Sequence, residues 1–392
     1  MVEWKRIEEI SLNVFAGGTP STKHGEYYDG DIPWIRSGEI DFNVISSAER
    51  NITKAGYDNS SAKLIQKGSV VMAMTGATVA KSAIVEFETS ANQSVCAIET
   101  DESVVNYKYL YYVLAKDYFR IKSSAQGALT SLNLAMIKQI EVPIPNITEQ
   151  QRIVGILDTF TSSIDNLKEQ IAQRRKQYEY YRDQLYYSSK EELMKAAKEG
   201  LIEVKSFDEI GTFTRGRRFV RTDIVEEGVP CIHYGDMYTY YGISADTTPT
   251  YLTKEVAAKL RYASKGDVVI VAAGENDLDI GVGVAWLGEN DVVVHDACFI
   301  FKHEMDSKYI SHYLRSRNYH QQIRMGVVDG KICSISAKEL GRTLIPVPSL
   351  SEQQRIVGIL DTFEASIQNL EAQLKEREKQ YEYYRNKLLT FE

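Results

Sequence analysis

Twelve residues, EQQRIVGILDTF from Glu149 to Phe160, recur as Glu352 to Phe363, 203 positions later, and at the same offset KQYEYYR (Lys176 to Arg182) recurs as Lys379 to Arg385. A period this long is too large for a solenoid unit and matches a domain plus a connector. The chain therefore reads as one unit written twice, each copy ending in the same segment.

That segment carries a helical seam. Ile153, Leu157, Phe160, Ile164, Leu167, Ile171, Arg174, Tyr178, Tyr181 and Leu185 step by four and three without a break. The second copy gives Ile356, Leu360, Phe363, Ile367, Leu370, Leu374, Arg377, Tyr381, Tyr384 and Leu388. An apolar period of 3.5 over several heptads is the coiled-coil pattern, interrupted in both copies by an arginine at the same heptad position. Each segment follows a proline (Pro145, Pro348) and opens with Thr148 or Ser351 and a glutamine three residues on (Gln151, Gln354). That spacing predicts a capping box. Two seams in one chain need partners, the nearest being each other, and the connectivity predicts an antiparallel pair. About 40 helical residues would make a rod near 60 Å.

Four regions follow: a globular unit over 1–147, a central coiled-coil helix over 148–200 ending at Gly200, a second globular unit over 201–348, and a distal coiled-coil helix over 349–392. In the first unit, IPWIRSGEI (Ile32 to Ile40), SVVMAMTGATVAKSAIVEFE and SVCAIE read as short strands and turns. NYKYLYYVLAKDYFRI reads as helix, SSAQGALTSLN as a polar loop, and IEVPIP as an edge-type strand, because proline cannot donate to a ladder. The second unit repeats this frame loosely, with VPCIHYGDM for IPWIRSGEI, KGDVVIVAAG for KGSVVMAMTG and SKYISHYL for YKYLYYVL. Strands first and helices after predict an α+β class. The expected architecture is two similar α/β units separated by a pair of long antiparallel coiled-coil helices, with an internal pseudo-two-fold repeat. The helices repeat almost letter for letter while the units share only a framework, so the helices would bind one partner twice and the units recognise different things.

The 392 residues are 43% hydrophobic and 26% charged, ordinary values for globular protein. No run of eighteen apolar residues predicts a membrane span, and the charged opening MVEWKRIEEI lacks the apolar core of a secretory signal. Four scattered cysteines without CxxC spacing predict buried thiols in a reduced, cytoplasmic protein. Net charge is −8 and no region is basic overall, so contacts to nucleic acid would have to be local or shared with a partner.

Catalytic patterns are not met. GATVAKS (Gly76 to Ser82) lacks the second glycine and one residue of a phosphate loop, and neither HExxH nor GxSxG occurs. GENDLDIG lacks calcium-loop spacing. The six histidines show no paired ligand spacing, and His295-Asp296 reads as a strand-end hydrogen bond. No metal site, cofactor site or catalytic residue is expected.

Binding patterns are richer. Arg215, Arg217, Arg218 and Arg221 cluster beside Phe219, and arginine offers a fork for phosphate or guanine edges. The corresponding stretch of the first unit, GGTPSTKHG, offers Thr19, Ser21 and Lys23 for phosphate. Arg36 and Ser37 in IRSG, and His233 and Tyr234 in IHYG, fall where a strand enters a turn. Gln126, Thr130 and Ser131, or Lys331 and Ser334, precede each last strand. The heptad tyrosines are expected inside the helix pair.

This pattern resembles the specificity (S) subunit of type I restriction-modification systems. The likeness covers the whole chain and rests on GGTPS (Gly17 to Ser21), WIRSGEI (Trp34 to Ile40), an IPVP exit strand (Ile345 to Pro348) and EQQRI at domain spacing. The second unit carries RGRRF in place of GGTPS. The resemblance implies a non-catalytic reader of double-stranded DNA, each unit taking one half of an asymmetric bipartite site while the helices set the spacing. It implies two docked modification (methyltransferase) subunits, met by Gln150, Gln151, Arg152, Gln353, Gln354 and Arg355, and restriction subunits with translocase and nuclease activity. S-adenosylmethionine, ATP and magnesium would belong to those partners. The alternative is a protein–protein adaptor with two diverged binding domains, favoured by the acidity and disfavoured by the arginine cluster; an autonomous nuclease or methyltransferase comes third.

Overall fold

The structure is a computed structural model that describes residues 2–125, 131–328 and 330–391. It divides into two compact units, residues 1–168 with 373–392, and residues 169–372. The division passes through the middle of both long helices, Ile147–Leu185 and Leu350–Leu388, so each unit holds a globular part, the start of one helix and the end of the other.

In unit 1 a five-stranded sheet runs in the order Ser11–Ala16, Val95–Thr100, Val70–Ala73, Ser82–Val85, Val44–Ile45. Its inner strands, Val70–Ala73, Ser82–Val85 and most of Val95–Thr100, are buried because both faces are covered, whereas the edge strand Ser11–Ala16 is partly exposed. Alternate side chains Val70, Met72, Cys96 and Ile98 pack with Tyr109, Leu110 and Val113 of helix Tyr107–Lys116. The intervening Val71, Ala73, Val95 and Ala97 pack on the other face with Ile35, Ile40 and Ile65. A three-stranded sheet, Asn51–Ile52, Tyr28–Ile35 and Ser90–Ala91, completes that side. Glu3–Arg6 pairs with Glu141–Ile144 and closes the unit where its first long helix begins.

Unit 2 has the same five-stranded order, Gly211–Arg215, Cys298–His303, Val268–Val271, Gly283–Trp286, Ser244–Ala245. In both sheets only the last pairing is parallel. Val204–Ser206 pairs with Leu344–Pro346 as the closing ribbon. The internal repeat is thus a repeat of topology as well as of letters.

The helix segments run antiparallel within each unit. In unit 1, Phe160 stacks on Tyr384 and Lys168 reaches Glu378; in unit 2, Tyr181 stacks on Phe363 and Arg175 pairs with Glu371. Ile153 and Leu157 sink into the core of unit 1, and Ile356 and Leu360 into that of unit 2. The same lock fixes each helix start: Lys108 Nζ and Tyr112 OH both donate to Asp158, each at 2.7 Å, and Lys308 and His312 meet Asp361.

Several expectations change. The central helix does not run to Gly200. It ends at Leu185 because Tyr186 is drawn into the unit 2 core, its hydroxyl donating to Tyr309 O at 2.7 Å, and Tyr187 takes a left-handed φ of 61°. Ser189 then caps a separate helix, Lys190–Lys198. The long helices are capped two residues earlier than expected: Asn146 and Ser349, rather than Thr148 and Ser351, accept from the Glu149 and Glu352 amides. Tyr178 is buried, whereas Tyr181 and Tyr384 remain 47% and 40% exposed, because each stacks across the seam with its outer edge in solvent. The GATVAKS stretch is the turn joining Val70–Ala73 to Ser82–Val85, with Lys81 paired to Asp41. All four cysteines are free and buried, and burial pushes the Cys231 thiol to about 11 and those of Cys96 and Cys298 to about 12. Among the described residues no helix is long and apolar enough to cross a membrane.

Candidate nucleic-acid interface

In each unit the loops that leave one end of the five-stranded sheet are tied together by the same backbone bonds. In unit 1 the Gly17 amide donates to Val95 O, Gly18 to Ala91 O, Asn92 to Ile35 O, Met74 to Ser94 O and Leu132 to Met74 O. In unit 2 the matching donors are Gly216 to Cys298 O, Arg217 to Val294 O, His295 to Ile232 O, Ala272 to Ala297 O and Ile335 to Ala272 O. The frame needs a glycine at 17 and 216, since a Cβ there would collide with the carbonyl oxygen of Ala91 or His295. These bonds equate Arg36 with His233, Ser37 with Tyr234, Gly18 with Arg217, Thr19 with Arg218 and Ser131 with Ser334.

The topology therefore gathers most of the expected binding residues of unit 1 at one end. Thr19 is half-buried and bonded to Gln93, while Ser21 and Lys23 are exposed. Arg36 leaves the end of strand Tyr28–Ile35 and meets Glu39 and Glu49. Ser37 accepts at its carbonyl from Thr78 Oγ1 at 2.7 Å. Ser131 adjoins Leu132 in the same frame. Gln126 and Thr130 lie outside the described residues.

In unit 2 the arginine cluster splits by role. Arg215 Nε donates to Asp296 O at 2.7 Å and Arg217 Nη1 to Lys259 O at 2.8 Å, so both hold distant segments in place. Arg218 and Arg221 are exposed, and both charges act on the neighbouring imidazoles, Arg218 on His295 and Arg221 on His233. Phe219 is buried with its ring 5.0 Å from His295, which lies 5.1 Å from His233 and 5.4 Å from Tyr234. Burial holds both imidazoles below their usual range, against the pull of Asp236 on His233 and Asp296 on His295. Lys331 is exposed in the turn before Cys333–Ser334, which pairs with Ala273–Gly274 at this same end.

Asn92 and Gln93 in unit 1 stand at the same end without a sequence motif, and His295-Asp296 makes the expected strand-end bonds, His295 meeting Phe219 O and the Ala297 amide. Their signal is positional: both pairs stand just before the strand that pairs with the first strand of the sheet. Arg261, whose guanidinium meets the Arg215 carbonyl, carried no sequence signal.

The helix residues expected to meet a partner divide likewise. Gln150 is fully buried; its Oε1 accepts from the Asn106 amide at 2.9 Å and its Nε2 donates to Val104 O and Pro145 O. Gln353 accepts from the Asp306 amide and donates to Pro348 O. These two glutamines fasten each helix to its own unit and are not presented outward. Gln151, Arg152, Gln354 and Arg355 are exposed, each arginine forming a two-bond pair with the glutamate three residues before it.

Together the fold and these two loop ends define a duplicated chain with side chains of unlike chemistry on one backbone frame. The chain belongs to the family described as the type I restriction modification DNA specificity domain, whose model matches residues 1–174 and again 200–378. It is 29% identical to the EcoR124I/EcoR124II specificity subunit of Escherichia coli, over 86% of this chain and 84% of that one. A putative type I restriction enzyme specificity subunit of Haemophilus influenzae is 26% identical over 100% of this chain and 96% of its own. The crystal structure of the type I S subunit from M. genitalium superposes with a TM-score of 0.59 at 16% identity, covering 100% of this chain and 97% of that one; that likeness concerns the fold.

Proposed function

We propose that this chain is the sequence-reading subunit of a type I restriction-modification enzyme. Unit 1 reads one half of a bipartite DNA sequence through the end that carries Thr19, Ser21, Lys23, Arg36, Ser37 and Ser131. Unit 2 reads the other through Arg218, Arg221, His233, Tyr234 and Lys331, with Arg215 and Arg217 shaping the loop. The observation that carries this reading is the shared backbone frame with unlike side chains at equivalent positions. One frame fits one shape of ligand, and unlike side chains select unlike sequences. The two halves are therefore different, whereas a symmetric dimer would read a palindrome.

The long helices run through both units and set the distance between the half-sites. The exposed, duplicated Gln151–Arg152 and Gln354–Arg355 faces each receive one modification subunit. Restriction subunits join that complex, which acts on double-stranded DNA in the cytoplasm. The modification and restriction subunits supply S-adenosylmethionine, ATP and magnesium chemistry, and this chain reads without cutting or methylating. Its acidic balance fits a reader whose partners share the phosphate contacts.

The test is duplex binding by the chain copurified with its modification subunit. Binding that weakens steeply and linearly in log salt, by several counterions, supports the reading. A complex that ignores duplex DNA at low salt and captures protein ligands contradicts it and favours an adaptor.

A further inference from the structure

We propose that the side chain at the end of the buried strand, Arg36 in unit 1 and His233 in unit 2, selects one base in each half-site, and that Arg36 selects guanine. The inference rests on the DNA-reading assignment above. The two positions are equivalent, because each follows an isoleucine, Ile35 or Ile232, that is fully buried and bonded at its carbonyl to the same turn, at 3.0 and 3.2 Å. A side chain leaving such a base is aimed by the sheet rather than by a loose loop.

Arg36 is held on one edge only. Glu39 has a side chain 7% exposed and accepts from the Arg36 amide at 2.8 Å and the Glu49 amide at 3.1 Å, so its carboxylate is fixed. It stands 3.7 Å from Arg36 Nε, while Glu49 takes one proton of Nη2. Nε is buried without a hydrogen-bond acceptor. No acceptor stands against Nη1 among the described residues, and Nη2 keeps a second proton. A guanidinium clamped along one edge presents two parallel donors on the other, which matches the O6 and N7 acceptors of guanine.

His233 offers different chemistry from the same place. Its Nδ1 accepts from the Gly235 amide at 3.2 Å, so the ring proton sits on Nε2 and a single donor remains. Its ring is packed 4.7 Å from Tyr234. One donor meets N7 of either purine and does not complete a two-point reading. The half-site of unit 2 is therefore less strict at this position than that of unit 1.

The experiment is in vitro methylation of a randomised duplex library by the chain in complex with its modification subunit, followed by sequencing of the methylated products. Arg36→Gln should reduce the preference for one guanine by about 10- to 100-fold and move it towards adenine, leaving the other half of the motif unchanged. Arg36→Lys, which keeps the charge beside Glu39, should retain that guanine with a weaker preference. His233→Arg should sharpen one position of the opposite half towards guanine. Arg36→Gln and Arg36→Lys complexes that assemble and methylate with every base preference of the wild type overturn the inference and leave the DNA-reading assignment standing. If Arg36→Gln does not assemble, Arg36→Lys decides. A wild-type complex that methylates with no two-part motif removes the assignment itself, and the inference with it.

Discussion

Arg174 lies over the ring of Phe363, its guanidinium carbon 5.8 Å from the centroid, at the one heptad position where the apolar seam is interrupted. Arg377 meets Phe160 in the same way at 5.7 Å in the other unit. The interruption is therefore a specific contact, made once in each unit between a cation and the aromatic residue of the antiparallel strand of the seam. An arginine that needs a ring opposite it discourages a slipped register, where it would face an aliphatic side chain.

Replacing Arg174 by alanine should lower stability by about 0.5–1 kcal/mol, the scale of a partly exposed cation–π pair. Ile171→Ala, one turn earlier and buried, should cost about 2–4 kcal/mol. Denaturant midpoints of the two variants check the order; equal losses would mean the arginine contact is more than a register device.

Gln150 satisfies one amide and two carbonyls where helix and globular unit meet. Gln150→Ala leaves those groups buried without partners and should cost about 3 kcal/mol, while exposed Gln151→Ala should leave stability within about 0.5 kcal/mol. Thermal melts separate the two. Copurification with the modification subunit should respond to the Gln151 and Arg152 substitutions even where folding does not.

Unit 2 should be the acid-sensitive half. Burial pushes His303 and His320 down to about 4, and holds His312 below its usual range despite Asp361. All three belong to unit 2, whereas the histidine of unit 1, His24, is exposed. Well above about pH 6.5, the ordinary imidazole value, these groups are neutral in folded and unfolded chains alike and contribute nothing to the pH dependence. As pH falls from there towards 4, the unfolded chain takes up protons that the folded unit refuses, so stability is lost across that window. Each of the two deeply shifted imidazoles is worth on the order of 2–3 kcal/mol at the lower end. The raised carboxyls of Asp267 and Glu364 act in the opposite sense and offset part of the loss. Hydrogen exchange, corrected for its intrinsic pH dependence, should show strand Val268–Val271 losing protection between pH 7 and 5 before Val70–Ala73. Equal loss in both strands would refute this assignment.

The arginine cluster should also separate by variant. Arg218→Ala and Arg221→Ala should weaken duplex binding and lower the salt slope by about 1 each, with the fold intact. Arg217→Ala should in addition destabilise unit 2, because its bond to Lys259 O is lost. Anisotropy titrations at several salt concentrations, set beside melts, read both effects.

The helices and the duplicated frame were legible in the sequence because they depend on periodicities, 3.5 along the seam and 2 across the sheet, that repeat over many residues. The end of the central helix was not, since Tyr186 is removed from it by a core contributed more than 120 residues later, at Tyr309. The capping residue was misplaced because Asn146 and Thr148 are both good caps, and the strand that precedes the helix decides between them. At the loop ends, strand and turn pattern placed Arg36 and His233 where a strand enters a turn, as the structure has them. What that pattern hid was the state of each arginine: Arg36 is clamped by the nearby Glu39 and Glu49. Arg215 and Arg217 are engaged by carbonyls 81 and 42 residues away.

Whether one chain reads two different half-sites is decided by methylome sequencing of a host expressing it with its modification subunit. The expected result is an asymmetric two-part motif with N6-methyladenine in each half. A palindromic motif, or no new methylation when both proteins are present and associated, would contradict it.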